Sequence, residues 1–208
     1  MIRLALPKGR NLGPSLAALR EAGVTLDGLS PEGRRLRQRF PDEGIEVLLL
    51  KDWDLPLYVE YGVAEWGIVG SDVLGETGAD LLRPVRLLGG GSRLSLVGRP
   101  GAEPVPGSQI RLATKYTASA HRFLASAPFS AEVMKLSGSV ELAPVLDLAD
   151  LALDIVQTGR TIREHGLVEL QVVEAVAPTV VVGRAAYQLH RRRINAWIDE
   201  LERAEVAV

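Results

Sequence analysis

The chain has 208 residues, of which 47% are hydrophobic and 24% are charged, and its formal net charge is −2. This length and apolar fraction suffice for a sizeable core, which excludes global disorder, and the absence of cysteine excludes disulfides, thiolate zinc sites and cysteine nucleophiles. The slightly acidic balance disfavours a nucleic-acid binder with a basic surface. Since no apolar run approaches the ~20 residues that span a bilayer and no signal peptide opens the sequence, we expect a cytoplasmic protein that is not bound to a membrane.

The first half of the chain alternates short apolar runs with helical patterns, which is typical of parallel βα units. The predicted strands are 2–6, 45–50 and 66–69, with extended segments at 81–88 and 93–97. Helices are predicted at 12–22 and 54–61, where Asp54 is a capping residue and Pro56 occupies the tolerant first turn. Ser71 or Asp72 can cap the helix that follows the third strand.

The second half repeats this alternation after a loop rich in proline and glycine. The predicted strands are 110–114, 133–136, 151–156, 170–176 and 179–182, and the predicted helices are 117–125, one beginning near 161, and 186–205. The glycine run 89–91 lacks the order of strand, GxGxxG and helix, so we interpret it as a hinge between two lobes. The sequence therefore predicts an α/β protein with parallel-rich sheets.

Lysines follow several of the predicted strands. Ligands of open parallel α/β sheets bind beyond the carboxyl ends of the strands, and three of the four lysines, Lys8, Lys51 and Lys115, lie there. A lysine in that position is a point charge for phosphate. One such lysine is usually only solvated, but the shared position of three favours an anionic ligand.

The strongest local motif is an acidic residue in a strand followed by Thr-Gly-Arg-Thr at 158–161, where a helix begins. Glycine permits a tight turn, and backbone N–H groups with two hydroxyls can surround a phosphomonoester. The acidic residue, Asp154, can accept hydrogen bonds from ribose hydroxyls, and this spacing resembles that of phosphoribosyltransferases. The alternative is an ordinary N-cap by Thr158 or Thr161, with Glu164 completing a capping box for Thr161; both interpretations can hold together.

Other candidates are weaker. The three histidines, at 121, 165 and 190, have no metal-ligand spacing, so surface or helix positions are expected for them. The arginine run 191–193 is typical of a solvated helix face or a subunit contact. Glu141 follows a Ser-Gly-Ser turn near the expected ligand edge, and it is either a helix-start acid or a site residue.

Five collinear blocks resemble the short-form catalytic subunit of ATP phosphoribosyltransferase. They are LALPKGR at 4–10, DLPLYVEYGVAEWGIVGSDVL at 54–74, SRLSLVG at 92–98, RLATKY at 111–116, and KLSGSVELAPVLDLADLALDIVQTGRTIREHGL at 135–167. The resemblance implies a two-lobed fold like the type II periplasmic binding proteins, with a cleft between the lobes. It also implies the first reaction of histidine biosynthesis, in which N1 of the ATP adenine attacks C1 of 5-phosphoribosyl 1-pyrophosphate and pyrophosphate leaves, with Mg²⁺ carried by the pyrophosphate.

The resemblance also implies roles for individual residues. The residues expected to bind phosphoribosyl pyrophosphate are Asp154, Thr158, Gly159, Arg160 and Thr161. Those expected to face ATP and the leaving pyrophosphate are Lys8, Gly9, Arg10, Arg35, Lys51 and Asp72. The expected catalytic residues are Asp154, Glu141 and Lys8. Leu57 and Trp66 differ from the family pattern, in which polar or smaller residues are usual, and we expect these differences to affect packing more than chemistry.

The resemblance implies the domain organisation and the partners as well. Residues 1–88 and 178–208 are expected to form one discontinuous lobe, and 89–177 the lobe that carries the phosphoribosyl pyrophosphate loop. The sequence ends after one terminal helix, without the regulatory domain of long relatives. Short forms are expected to make a homodimer of catalytic chains and to join a regulatory subunit similar to histidyl-tRNA synthetase.

Two alternatives stay open at this point. The chain could be a phosphoribosyltransferase that acts on a free base, although the lysines after the first strands would then meet no triphosphate. It could also be a non-catalytic bilobal module that binds a small molecule, although such a module does not need the Asp154 and Thr-Gly-Arg-Thr motif.

Overall fold

The structure is a computed structural model that describes residues 1–29, 35–87 and 91–206, with the backbone alone for Arg10 and 204–206. The chain divides into two compact units, Met1–Gly90 with Ala177–Val208 and Gly91–Val176. The predicted lobe boundary at 88/89 and two glycines of the predicted hinge lie outside the described residues. None of the helices in the described ranges has the length and apolar character needed to cross a membrane.

Ten strands and seven α-helices occur in the described part of the chain. The strands are β1 (Ile2–Pro7), β2 (Arg37–Phe40), β3 (Ile45–Leu50), β4 (Trp66–Gly70), β5 (Ser92–Gly98), β6 (Gln109–Thr114), β7 (Ser130–Lys135), β8 (Leu151–Val156), β9 (Val168–Val176) and β10 (Pro178–Val182). The helices are α1 (Leu12–Glu21), α2 (Leu55–Glu60), α3 (Ser71–Thr77), α4 (Thr117–Leu124), α5 (Leu142–Val145), α6 (Arg160–Glu164) and α7 (Arg184–Val206). A 3₁₀ turn (Gly9–Asn11) follows β1.

The first unit contains a mixed sheet with the strand order β10-β4-β1-β3-β2. Its three central strands are parallel, and β10 and β2 join the edges antiparallel. Central β1 reads as a continuous apolar run because both of its faces are buried: Leu4 and Leu6 share a core cluster with residues of α1 and α7, whereas Ala5 packs with residues of α2 and α3. Trp66 of β4 is 1% exposed and stacks on Trp197 of α7, with ring centroids 4.7 Å apart.

The second unit contains a sheet with the order β7-β6-β8-β5-β9. Strands β7, β6 and β8 are parallel, and β5 and β9 are antiparallel to their neighbours. One face carries a core cluster that includes Val97, Ala152 and Val156 from the strands, with Val140 and Ile162 from the connections. This cluster anchors the segments on either side of β8.

The structure corrects several local predictions. The predicted extended segment at 81–87 lies along β10 through antiparallel bridges at Leu82 and Arg86 and a hydrogen bond from the Val180 N–H to the Val85 carbonyl, but it is not a regular strand. Strand β2 and helix α5 were not predicted. The N-cap of α3 is Gly70, so neither Ser71 nor Asp72 caps that helix, and Asp54 lies at the N-cap of α2 without a side-chain hydrogen bond to the helix.

Candidate functional site

In the first unit, the carboxyl ends of the parallel strands bring two of the three predicted lysines together, whereas Lys115 follows β6 in the second unit. Pro7 at the end of β1 lies opposite Leu50 at the end of β3, and the Lys8 N–H donates to the Leu50 carbonyl at 2.8 Å. Lys8 and Lys51 therefore extend from neighbouring positions at one edge of the sheet, and both are exposed. Two positive charges side by side at a strand edge are suited to binding phosphate.

Gly9 begins the 3₁₀ turn immediately after Lys8. Its φ is +80°, a backbone conformation that other residues adopt only with strain, and a Cβ there would meet no other atom within 4 Å. The glycine is thus required by the backbone rather than by crowding. Arg10 is part of the same turn, but its side chain lies outside what the structure describes.

Asp72 occupies the first turn of α3, directly after β4, and is 9% exposed. A side chain at Gly70 would collide with the Asp72 carboxylate, so the glycine makes room for it. Strand β4 is parallel to β1, with Ala5 opposite Gly67, so its end lies at the same edge as Lys8.

Arg35 precedes β2 and lies level with the end of β3, because the Leu49 N–H donates to the neighbouring Leu36 carbonyl at 2.8 Å. It is exposed and lines a polar cavity of about 470 Å³ that includes two more arginines of β2 and Glu46. The first unit thus brings Arg35, Lys8, Lys51 and Asp72 to one sheet edge.

In the second unit, the Thr-Gly-Arg-Thr segment has the predicted course from strand through tight turn to helix. Asp154 is half-buried on β8, and its Oδ1 accepts the Ile155 N–H at 2.8 Å. Gly159 has a φ of +70°, and α6 begins at Arg160. Thr158, Arg160 and Thr161 are all exposed, so their polar groups are accessible to a ligand.

The capping interpretation of this segment is wrong. Gly159 is the N-cap of α6 and offers no side chain, and the Thr158 hydroxyl meets the Arg160 N–H only at 3.4 Å. Glu164 binds Arg160 instead of completing a capping box with Thr161, with a distance of 2.8 Å from Arg160 Nε to Glu164 Oε1.

Glu141 is half-buried at the N-cap of α5, directly before the helix. Its chain neighbour Val140 is 2% exposed and shares a core cluster with Ala152 and Val156 of β8 and with Ile162, the neighbour of Thr161. The common cluster holds the Glu141 and Thr161 segments against the strand that carries Asp154.

The sequence motifs do not indicate a half-buried ionic group that lies beside this segment. Arg93 of β5 donates from Nε and Nη2 to the two carboxylate oxygens of Glu169 on β9, each at 2.5 Å, and the buried Ser95 hydroxyl donates to the same carboxylate at 2.6 Å. The hydrogen bonds from Arg93 lower the pKa of Glu169, against the opposing effect of burial, and Ser95 lowers it further. Arg93 and Ser95 belong to the SRLSLVG block, but the acceptor lies 76 residues away, so no local pattern connects them.

All three histidines are exposed, and His121 lies in α4 and His165 at the C-cap of α6. No group of three or more histidine, aspartate or glutamate residues in the described part of the chain could hold a metal ion. His190 lies at a kink in α7, and Arg193 contacts the Trp197 ring and the Glu43 carbonyl, so this arginine is not simply solvated. Of the two residues that differ from the family pattern, Leu57 is 54% exposed on α2 and Trp66 is 1% exposed on β4.

Comparison with known proteins finds similarity to one family over most of the chain. The family model for ATP phosphoribosyltransferase matches residues 51–203. Among curated relatives, the ATP phosphoribosyltransferase of Thermococcus gammatolerans is 44% identical over 95% of this chain and 95% of its own length. That of Thermus thermophilus is 42% identical over 96% of this chain and 95% of its own length.

Two solved structures are similar in fold. The ATP phosphoribosyl transferase (HisG:HisZ) complex from Thermotoga maritima contains a chain that matches with a TM-score of 0.81 and 31% identity, covering 100% of both chains. The periplasmic aliphatic sulphonate binding protein SsuA from Escherichia coli matches with a TM-score of 0.61 at 13% identity, covering 98% of this chain and 72% of SsuA. The second match shows the fold alone and agrees with the two-lobed architecture of the periplasmic binding proteins.

Proposed function

The chain belongs to the ATP phosphoribosyltransferase family, and on that premise we propose how its residues divide between the two substrates. The activity is a pentosyl transfer and the first step of histidine biosynthesis. N1 of the ATP adenine attacks C1 of phosphoribosyl pyrophosphate, the C1–O bond to pyrophosphate breaks, and the products are N1-(5-phosphoribosyl)-ATP and pyrophosphate.

Phosphoribosyl pyrophosphate is proposed to bind at the turn between β8 and α6. The strongest support is the left-handed conformation of Gly159. Thr158, Arg160 and Thr161 are exposed around this glycine, and the half-buried Asp154 precedes them on β8. Backbone N–H groups and hydroxyls at such a turn suit the 5′-phosphate. The Asp154 carboxylate can accept hydrogen bonds from the ribose hydroxyls.

ATP and the departing pyrophosphate are proposed to meet the basic edge of the first unit. Lys8, Lys51 and Arg35 supply positive charge there, and the positive φ of Gly9 exposes the backbone next to Lys8. Arg10 is assigned to the same group from its place in the turn. Asp72 is assigned to the nucleotide from its place directly after β4, where Gly70 makes room for its carboxylate.

The chemistry requires alignment and charge stabilisation more than a strong base. Adenine N1 is already nucleophilic, and the ribosyl group develops positive charge as pyrophosphate leaves. We assign Asp154 and Glu141 to the developing cation, and Lys8 to the negative charge that gathers on the leaving group. None of the three histidines is needed for these steps.

ATP phosphoribosyltransferases use a metal ion in catalysis, and we propose Mg²⁺ for this chain. Mg²⁺ keeps much of its coordination in substrate phosphates, so we propose that the pyrophosphate group of the substrate carries the ion, and no ligand for it is assigned in this chain. When bound, the ion neutralises charge on the leaving pyrophosphate.

A regulatory partner is proposed from the structural neighbour, which is described as a HisG:HisZ complex. We propose that this chain forms a homodimer, joins a subunit similar to histidyl-tRNA synthetase, and acts in the cytoplasm. We also propose the lobes as residues 1–88 with 178–208 and residues 89–177.

The function is tested by incubating the purified chain with ATP, phosphoribosyl pyrophosphate and Mg²⁺. We expect pyrophosphate and an adduct with altered ultraviolet absorbance to appear together in equal amounts. Adenine replaces ATP in a parallel reaction. Turnover with adenine and none with ATP would favour the free-base alternative, and binding without any product would favour the non-catalytic module.

A further inference from the structure

We propose that Arg93 is a positioning residue for phosphoribosyl pyrophosphate, acting through the backbone of the turn at 157–159. The inference rests on the proposed role of that turn in substrate binding. Arg93 lies on β5 and precedes Gln157, the first residue of the turn, by 64 residues in the chain.

The contacts of Arg93 connect the turn to the far edge of the sheet. Its Nη1 donates to the carbonyl of Gln157 at 3.2 Å, and Gln157 is the first residue after β8. Its Nε and Nη2 are held by the Glu169 carboxylate on β9. The Arg93 guanidinium therefore hydrogen-bonds both the start of the turn and β9, which is separated from β8 by β5 in the sheet.

Strand register places Asp154 beside the same group. Ser95 lies opposite Asp154 in the antiparallel β5–β8 pair, and Arg93 lies opposite Val156 two residues further along. Opposed residues share a face of the sheet with Cβ atoms roughly 5 Å apart. The Ser95 hydroxyl also binds Glu169, so Arg93, Ser95 and Glu169 flank both Asp154 and the start of the turn.

Arginine suits this position better than lysine. Its planar fork can satisfy both oxygens of Glu169 through one edge and leave Nη1 aimed at a carbonyl, whereas the donors of lysine all radiate from one nitrogen. Glu169 is half-buried and accepts three hydrogen bonds, so it fixes the orientation of the guanidinium. A turn held this way is preorganised for the phosphate before the substrate arrives.

The test is Arg93→Lys, compared with Arg111→Lys as a matched control. Arg111 also pairs with a carboxylate in the second unit, Asp150, but it lies near the opposite end of β6 and β8. Calorimetric titration with phosphoribosyl pyrophosphate and Mg²⁺ should show a Kd raised roughly 10- to 100-fold in Arg93→Lys, because the turn must then be ordered when the substrate binds. The Kd for ATP in Arg93→Lys, and both Kd values in Arg111→Lys, should stay within about twofold of the parent.

Hydrogen exchange distinguishes positioning from general stability. In Arg93→Lys the amides of 158–161 should exchange faster while those of β5 and β8 keep their protection. Faster exchange throughout the second unit, or a variant that does not fold, would identify Arg93 as a structural residue and overturn the inference. Glu169→Gln should also speed exchange of the amides of 158–161. Unchanged exchange of these amides in Glu169→Gln would contradict the positioning role of Arg93.

Thr161→Val separates the failure of this inference from the failure of the proposed site. A higher Kd for phosphoribosyl pyrophosphate in Thr161→Val, together with an unchanged Kd in Arg93→Lys, would overturn the role of Arg93 but not the proposed site. An unchanged Kd in both variants would overturn the assignment of the turn, and the inference with it.

Discussion

Thr161 is exposed in the first turn of α6, and its hydroxyl makes no hydrogen bond to the residues that the structure describes. Removing an exposed hydroxyl that makes no hydrogen bond destabilises the fold little, and the hydroxyl is free to bind a phosphate. We predict that Thr161→Val weakens the binding of phosphoribosyl pyrophosphate by ~1.5–3 kcal/mol, the value of one charge-assisted hydrogen bond. The affinity for ATP should be nearly unchanged. Calorimetry with each substrate measures this, and Thr25→Val, an exposed threonine of the first unit, is the control. Equal losses for both substrates would contradict the assignment.

Asp154 differs from Thr161 in having a structural contact as well as an exposed edge. Its Oδ1 accepts the N–H of the next residue, and the amide oxygen of asparagine can accept the same bond. We therefore predict that Asp154→Asn keeps the parent Tm but loses roughly 10²-fold or more in kcat, because a neutral amide stabilises a developing cation poorly.

The control for Asp154→Asn is Asp147→Asn. Asp147 is an exposed residue of the second unit with a φ of +58°, which asparagine tolerates, so the control should keep both Tm and kcat. A kcat of soluble Asp154→Asn equal to that of the parent would contradict the catalytic role of Asp154. A large drop in its Tm would indicate a structural carboxylate.

At the scale of elements, edge strand β2 is attached to β3 through charge. The Glu46 carboxylate is buried on β3 and accepts hydrogen bonds from Arg37 at 2.7 Å and Arg39 at 2.9 Å. These arginines lower the pKa of Glu46 from 4.5 to about 2, although burial opposes the shift. A carboxyl whose pKa is lower in the folded state stabilises the fold fully above its unfolded pKa, and this stabilisation is lost as the pH falls through the folded value.

We therefore predict that Glu46→Gln lowers the free energy of unfolding at about pH 7 and flattens its dependence on pH between about 5 and 2. Urea titrations across this range measure the effect. Glu132→Gln, which changes an exposed carboxyl of β7 with no ion pair to the described residues, should keep the pH dependence of the parent. The same slope in Glu46→Gln and in the parent would contradict the prediction.

The elements also show what the sequence could and could not predict. Strands β1, β3 and β8 were predicted because buried parallel strands are continuous apolar runs. Strand β2 was missed because RQRF is polar and half exposed, and its strand character comes from pairing with β3 and from Glu46. Helix α5 has only four residues, which is too short for a helical period to appear.

The same distinction applies to the site. The turn at 158–161 and the lysines at the strand ends are local features, so motif and position sufficed to predict that they follow the carboxyl ends of strands. Arg93 and Glu169 are joined only through the antiparallel β5–β9 pair, whose register shifts twice at bulges. Such a contact depends on tertiary pairing that no local pattern contains.

At the scale of the whole molecule, regulation by a ligand depends on which binding sites the chain carries. Feedback by histidine needs a second site whose ligand binds one state better than another. The site residues proposed in both units are assigned to ATP and phosphoribosyl pyrophosphate, so none is assigned to histidine, and the Thermotoga maritima neighbour is described as a complex with HisZ. We therefore predict that histidine barely inhibits the purified chain and inhibits it strongly once a synthetase-like subunit is added, because the histidine pocket then lies in or next to that subunit. Rate assays with and without the partner, together with calorimetric titration of histidine into the chain alone, measure this. Saturable inhibition of the isolated chain, at a site that does not compete with ATP, would place the sensing site in this chain instead.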